Sequence, residues 1–337
     1  MNKKFNGVMI IPTGLGCSIG GNAGDANPVA KLIAKCCDKL IVHPNVVNAS
    51  DINEMPENVL YVEGSILDRF LQGKIFLEEI NYNRILVVAN EPVSNNTINS
   101  INASKVTIGT DIQLIPLKIP LTMEAFYDED GRATGRSEGV KDLIKLLNGF
   151  DFEYDALAIH SEIKCNPESA LHYLRNGGVN LWGGIEAEVS SEIATAINKP
   201  VAHAPTESEF LKTFDEVVDK RISAEIVSTS YLHCVLKGLH KAPRITTEYK
   251  NNVMSVKDID FLISPFGCFD VPHRACVDAG IPIIVVKENK TIYNKDISKY
   301  NIPKNKLIFV ENYLEAVGVI MAMKSGTNWE SVLADKE

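Results

Sequence analysis

Apolar, mostly β-branched residues recur in short unbroken runs at 8–11, 40–42, 59–62, 85–89, 156–159, 201–202, 261–263, 283–286 and 307–310. Between many of them lie segments with helical periodicity, at 28–38, 65–72, 140–147, 186–198 and 222–240. A strand that is apolar throughout, rather than at alternate positions, is buried on both faces, and strands that alternate with helices pair in parallel beneath them. The pattern predicts an α/β fold, with Rossmann-like parallel sheets and flanking helices. At 337 residues the chain is longer than one hydrophobic core of about 250–300 residues supports. Two lobes around a cleft are therefore expected, a Rossmann-like one at 1–150 and a second α/β one at 151–337.

Parallel sheets place ligands outside the carboxyl ends of their strands, and three loops there are unusual. The first, TGLGCSIGGNAGDANP at 13–28, carries five glycines and opens a helix, with Asn27 as the expected N-cap and Pro28 at the first helical position. So much glycine before a helix N-terminus suits backbone N–H groups that hold an anion, which makes Thr13, Gly14, Gly16, Ser18, Gly20, Gly21 and Asp25 candidate binding residues; a tight turn is the simpler account. Gly14, Gly16 and Gly20 also match a GxGxxxG variant of the dinucleotide fingerprint, but the next strand ends at His43-Pro44-Asn45, without the acidic residue that would take a ribose. An NAD(P)-dependent oxidoreductase is thus an alternative. The second loop, 43–58, offers His43, Asn45, Asn48 and Asp51 to polar groups of a ligand, although the same residue types form turns.

The third loop, 264–274, repeats the grammar of the first: Pro, Gly-Cys, then Pro opening a helix, with the same spacing from Pro28 to Asn45 as from Pro272 to Asn289. Two related βαβ units would bring Cys17 and Cys268 to strand ends of one cleft. Opposed thiols are the acid and base of cofactor-independent racemases and isomerases, and His273 or a helix N-terminus is placed to lower a thiol pKa. The competing account is that both are small packed thiols. A polar stretch at 122–139 reads as a hinged lid whose Arg132 and Arg136 close over a carboxylate or phosphate, or as a solvated excursion. His160, Ser161, Glu186 and His203 also follow strands or open a helix, and interior packing or helix stabilisation accounts for them equally well.

Charge narrows the partners. With 34 Lys and Arg against 43 Asp and Glu, a net charge of −9 and no basic run, the chain lacks the footprint of a nucleic-acid binder. No apolar run approaches the ~20 residues of a membrane span, and the N-terminal apolar run is too short for a signal peptide. A cytoplasmic protein is expected. Seven cysteines in no CxxC pair and no zinc spacing indicate neither a disulfide framework nor a metal site. A small anionic metabolite is the expected partner, no cofactor is required in the leading reading, and homo-oligomers are compatible with it. The same loops without a poised acid and base would make a non-catalytic metabolite-binding protein.

The segments VMIIPTGLGCSIGGNAGDANPVAKLIA, HPNVVNASDINEMPENVLYVEGS and GCFDVPHRACVDAGIPIIVV together resemble an uncharacterised family, a domain of unknown function found in cyanobacteria, plants and other microbes. The resemblance spans nearly the whole chain. It implies one family-length protein and brings no activity, cofactor or catalytic assignment.

Overall fold

The structure, a computed structural model, describes residues 4–206, 214–227 and 231–334. Its main sheet has six parallel strands in the order β16 (Leu307–Val310), β15 (Ile283–Lys290), β14 (Ile259–Phe266), β1 (Asn6–Met9), β2 (Lys39–Val42) and β3 (Val59–Tyr61). A second parallel sheet runs β11 (Val201–Pro205), β9 (Ala156–Ser161), β5 (Ile85–Asn90) and β6 (Ile112–Leu117). All nine apolar runs fall in these two sheets. The fold is α/β.

The strands run apolar because both of their faces are covered. Val8 and Ile10 pack on one side with the helices Gly64–Leu71 and Val271–Ala279, while Met9 and Ile11 pack on the other with Asn27–Ala34 and Tyr313–Ser325. Each fully buried aliphatic side chain contributes roughly 1.5–3 kcal/mol relative to exposure. Both apolar clusters also take residues from the second sheet, Ile85 and Val87 in one and Leu86 and Val88 in the other.

The sheets do not divide where the sequence suggested, near residue 150. β1 pairs with β14, so strands from both ends of the chain share the main sheet, and the second sheet is built from the middle. The two related βαβ units, β1 to β2 and β14 to β15, are accordingly not opposed across a cleft. They lie back to back in one sheet, and the chain runs outward in opposite directions from the β1–β14 boundary. Such a topological switch point opens a crevice at the strands' carboxyl ends.

Three smaller expectations are also corrected. The 122–139 stretch is an antiparallel hairpin, β7 (Thr122–Tyr127) and β8 (Ala133–Glu138), with β10 (Ile163–Cys165) beside β7. Asn27 lies inside its helix, and the N-cap, Ala26, makes no side-chain bond. The expected helix at 222–240 is observed as Ser223–Val227 and Tyr231–Leu239, with 228–230 outside the described residues. A last small sheet places β4 (Phe76–Glu78) between β12 (Arg244–Thr246) and β13 (Val253–Met254). Among the described residues no helix is long and apolar enough to cross a membrane.

Candidate functional site

A cavity of about 730 Å³ opens at the carboxyl ends of the strands, lined by all three unusual loops. It brings together Thr13, Gly21, His43, Asn45, Asn48, Asp51, Arg132, Cys268 and His273 from the expected set. Gly14, Gly16, Cys17 and Gly20 instead border a separate small void of about 10 Å³, which Gly21 and Asn45 also touch. Ser18, Asp25 and Arg136 line neither.

The first loop's N–H groups are largely engaged within the protein. Gly20 N–H donates to the Asp25 carboxylate, Gly21 N–H to the Asn45 carbonyl at 3.0 Å, Ile19 N–H to Asn289 Oδ1 at 2.9 Å and Ala23 N–H to Glu225 Oε1 at 3.0 Å. Asp25 thus occupies, from inside, the place an external anion was expected to take. Burial pushes its pKa up, and the Gly20 N–H draws it back. Ser18 is exposed and accepts from Lys290 N–H at 3.5 Å. The glycines have a packing reason: at Gly16 a Cβ would lie 2.9 Å from Val179 Cγ2, and at Gly20 2.1 Å from Ile11 Cδ1.

The second Gly-Cys loop presents side chains instead. Asp270 N–H donates to His273 Nδ1 at 3.1 Å, which leaves the ring proton on Nε2. Nε2 lies 2.8 Å from Ser264 Oγ and 3.9 Å from Cys268 Sγ, and Ser264 Oγ is 3.3 Å from that sulfur. Cys268 and His273 are therefore together, through a serine that the sequence did not single out. The expected activation of the thiol is absent: burial pushes Cys268 up to about 11 and His273 down to about 4, so the ring is a neutral donor. Cys17 is pushed up further, by burial, then by the nearby Cys268 and by Asp25.

Two groups of residues that spacing did not reveal complete the wall. His203, on β11, places Nδ1 2.8 Å from Glu186 Oε1 and Nε2 3.1 Å from Ser161 Oγ. The bonds follow the order of a serine–histidine–acid triad, but accessibility runs the other way. The Glu186 side chain is 30% exposed and that of His203 3%, while Ser161 is buried and does not line the cavity. Glu186 is thus the member of the three that is open to the cavity. His160, its neighbour, is a satisfied interior residue, bonded to the Ala204 carbonyl and to Thr97 Oγ1.

Glu225 also lines the cavity, and its Oε1 accepts from Ala23 N–H, Asn180 Nδ2 at 2.9 Å and Tyr173 Oη at 3.3 Å. Burial, then the Glu186 charge, pushes its pKa up to about 7 against the pull of these donors. Asn180 joins the two acids. Its Oδ1 accepts from Trp182 and Gly183 N–H at the start of the helix Gly183–Ile197, whose first turn carries Glu186.

Among the described residues the lining holds seven carboxylates, Asp51, Glu54, Glu63, Asp68, Glu186, Glu225 and Asp270, against the cations Arg132 and Lys295. Arg132 stands where the 128–131 turn enters β8, and both cations are exposed, so they sit at the cavity's rim. Arg136 lies over the Phe126 ring at 5.2 Å and does not line the cavity. Buried His43 receives the Ile11 N–H at Nε2, and burial lowers its pKa to about 4.

The sequence profile of a family described as Protein of unknown function (DUF3326) matches residues 6–333. An uncharacterized lipoprotein of Synechococcus sp. is 32% identical over 339 residues, which covers 97% of this chain and 92% of the relative. No solved structure matches the chain.

Proposed function

The chain belongs to the DUF3326 family, and we propose that it is an enzyme of small-molecule metabolism that moves a proton between its substrate and two cavity carboxylates, Glu186 and Glu225. The observation that carries this reading is the contrast between those acids. Glu186 faces the cavity with His203 and Ser161 bonded behind it, which holds its carboxylate in place to act as the base. Glu225 is held near neutrality, at about 7, and serves as the acid. Neighbouring carboxyls whose surroundings set them apart in this way are the usual means of running acid and base steps at one pH. Arg132 and Lys295 at the rim take the substrate's carboxylate or phosphate, and Asn45 and Asn48 its hydroxyl or amide groups. Proton transfer, first assigned to Cys17 and Cys268, passes to carboxylates because burial keeps both thiols protonated. All seven cysteines are free thiols, which suits the cytoplasm we propose as the site of action.

The test is proton NMR in D₂O of carboxylate- and phosphate-bearing metabolites with the protein. At least one is expected to lose a C–H signal to deuterium, at a rate abolished in Glu186→Gln and Glu225→Gln. A metabolite that binds by saturation transfer while none exchanges would make this a binding protein instead.

A further inference from the structure

The cavity's inner wall carries carboxylates that the chain does not pair with a cation in direct contact, and we propose that this wall receives a protonated amine. The substrate is then a zwitterion, its ammonium between Glu63 and Asp68 and its anionic group at Arg132 and Lys295. This rests on the reading of the cavity as a substrate site.

Glu63 follows β3 and caps the helix Gly64–Leu71. It is 4% exposed and lines the cavity. Its Oε2 takes three donors, Ser65 N–H at 2.9 Å, Ser65 Oγ at 2.5 Å and Ile66 N–H at 3.2 Å. Among the described residues none reaches Oε1, so this carboxylate oxygen beside the cavity is left without a donor. Asp68, on the same helix, also lines the cavity, and among the described residues its carboxylate makes no hydrogen bond or ion pair. The charges acting on it, Asp270 and Glu63, have its own sign. Arg69, the cation that acts on Glu63, binds Asn198 Oδ1 at 2.9 Å through Nη1 and does not line the cavity.

A carboxylate such as Asp68, drawn out of water with neither a hydrogen bond nor an ion pair, is costly, and a cationic ligand removes that cost. An ammonium fits the vacant acceptors because it brings three N–H donors on one atom. A metal ion fits less well: among the described residues no three His, Cys, Asp or Glu side chains converge closely enough to hold one. Tyr61, also on the lining and next to Glu63, supplies an aromatic ring to the same end of the cavity.

Calorimetry at constant ionic strength with hexanoate, hexylamine and 6-aminohexanoate tests the inference. 6-Aminohexanoate is expected to bind tightest and hexylamine to retain part of the affinity. Asp68→Asn should weaken 6-aminohexanoate by about tenfold or more, the effect of losing one charge-assisted hydrogen bond, and leave hexanoate unchanged. Asp68 makes no bond in the protein, so this variant folds; Glu63→Gln, which keeps an acceptor for the helix cap, should behave alike. Hexanoate binding as tightly as 6-aminohexanoate, amine binding indifferent to Asp68→Asn, or a Mg²⁺ or Ca²⁺ site lost in that variant without any amine binding would each overturn it. Asp68-dependent amine binding with no deuterium exchange in any metabolite would uphold the amine and remove the catalytic reading.

Discussion

The loops that follow β1 and β14 are neighbours in one sheet and share a Gly-Cys pair and a helix-opening proline, yet one is closed and the other open. In the first, five glycines with positive φ fold the backbone back so that its amides meet Asp25, Asn45 and Asn289. In the second, Gly267 alone is left-handed, and the side chains of Cys268, Asp270 and His273 reach the cavity. Glycine density here follows how closely backbone is packed against its surroundings. The second loop, with a single such glycine, is the one that turns a thiol, a carboxylate and an imidazole to the cavity.

The sharpest way to break that contrast is to add side chains to the closed loop. Gly20 has φ 93°, and a Cβ there would lie 2.1 Å from Ile11 Cδ1 and 3.2 Å from the Asn45 carbonyl. Gly20→Val combines backbone strain with overpacking and is expected to cost about 4 kcal/mol, a fall in Tm of about 10 °C. Gly21 has φ 95° but nothing within 4 Å of its Cβ position, so Gly21→Ala should cost only about 1 kcal/mol. Equal losses in thermal melts would refute the close-packing account.

A smaller effect separates the acids of the two loops. Asp25 is met by an amide of its own loop, whereas Asp270 adds its charge to that of Asp68. Burial first, then Asp270 and Glu63, push Asp68 up to about 7. With the folded pKa above the unfolded value of ~3.9, protonation favours the folded state, and stability is lost as pH rises from about 4 through 7. Asp68→Asn removes that loss. The free protein should gain about 2 kcal/mol at pH 8 after allowance for solvent screening, and the gain should shrink as pH falls towards 4. Denaturant melts at the two pH values measure it; a gain independent of pH would mean that the charge is not its source.

The fold was largely legible because fully buried parallel strands carry their signal in every residue. The strand missing from the second sheet, β6, lies at an edge, holds Pro116 and is only partly buried, so its sequence carries half the signal. The hairpin at 122–138 was read as a lid because its turn and second strand are polar, and that strand ends exposed. The switch-point rule pointed to the three loops that line the cavity, and Cys268 was singled out because its loop repeats the Gly-Cys of the first, with His273 close behind it in sequence. Ser161, Glu186 and His203 come from three elements and share no spacing, and Glu225 joins them only through Asn180. Their one common signal was position: Ser161 ends β9, His203 lies in β11 and Glu186 opens a helix, and each of these was equally well explained by packing or helix stabilisation.

The smallest effect tests whether the open loop is organised around its sulfur. Asp270 N–H fixes the proton of His273 on Nε2, Nε2–H donates to Ser264 Oγ, and the hydroxyl is left to donate, with the Pro265 carbonyl and Cys268 Sγ each at 3.3 Å; once the sulfur is ionised it takes that proton. That direction favours the thiolate, and Ser264 is the one neighbour that draws the thiol pKa down against burial. Ser264→Ala removes the donor and should slow alkylation of Cys268 by iodoacetamide at pH 9 by about tenfold, as the thiolate fraction falls. Cys17, which makes no bond to Ser264, is the internal control in the same peptide-mass measurement. A fall confined to Cys268 would show a loop whose hydrogen bonds converge on a side chain, where its neighbour's converge on backbone; an unchanged rate, or an equal fall at both cysteines, would leave the two loops chemically alike.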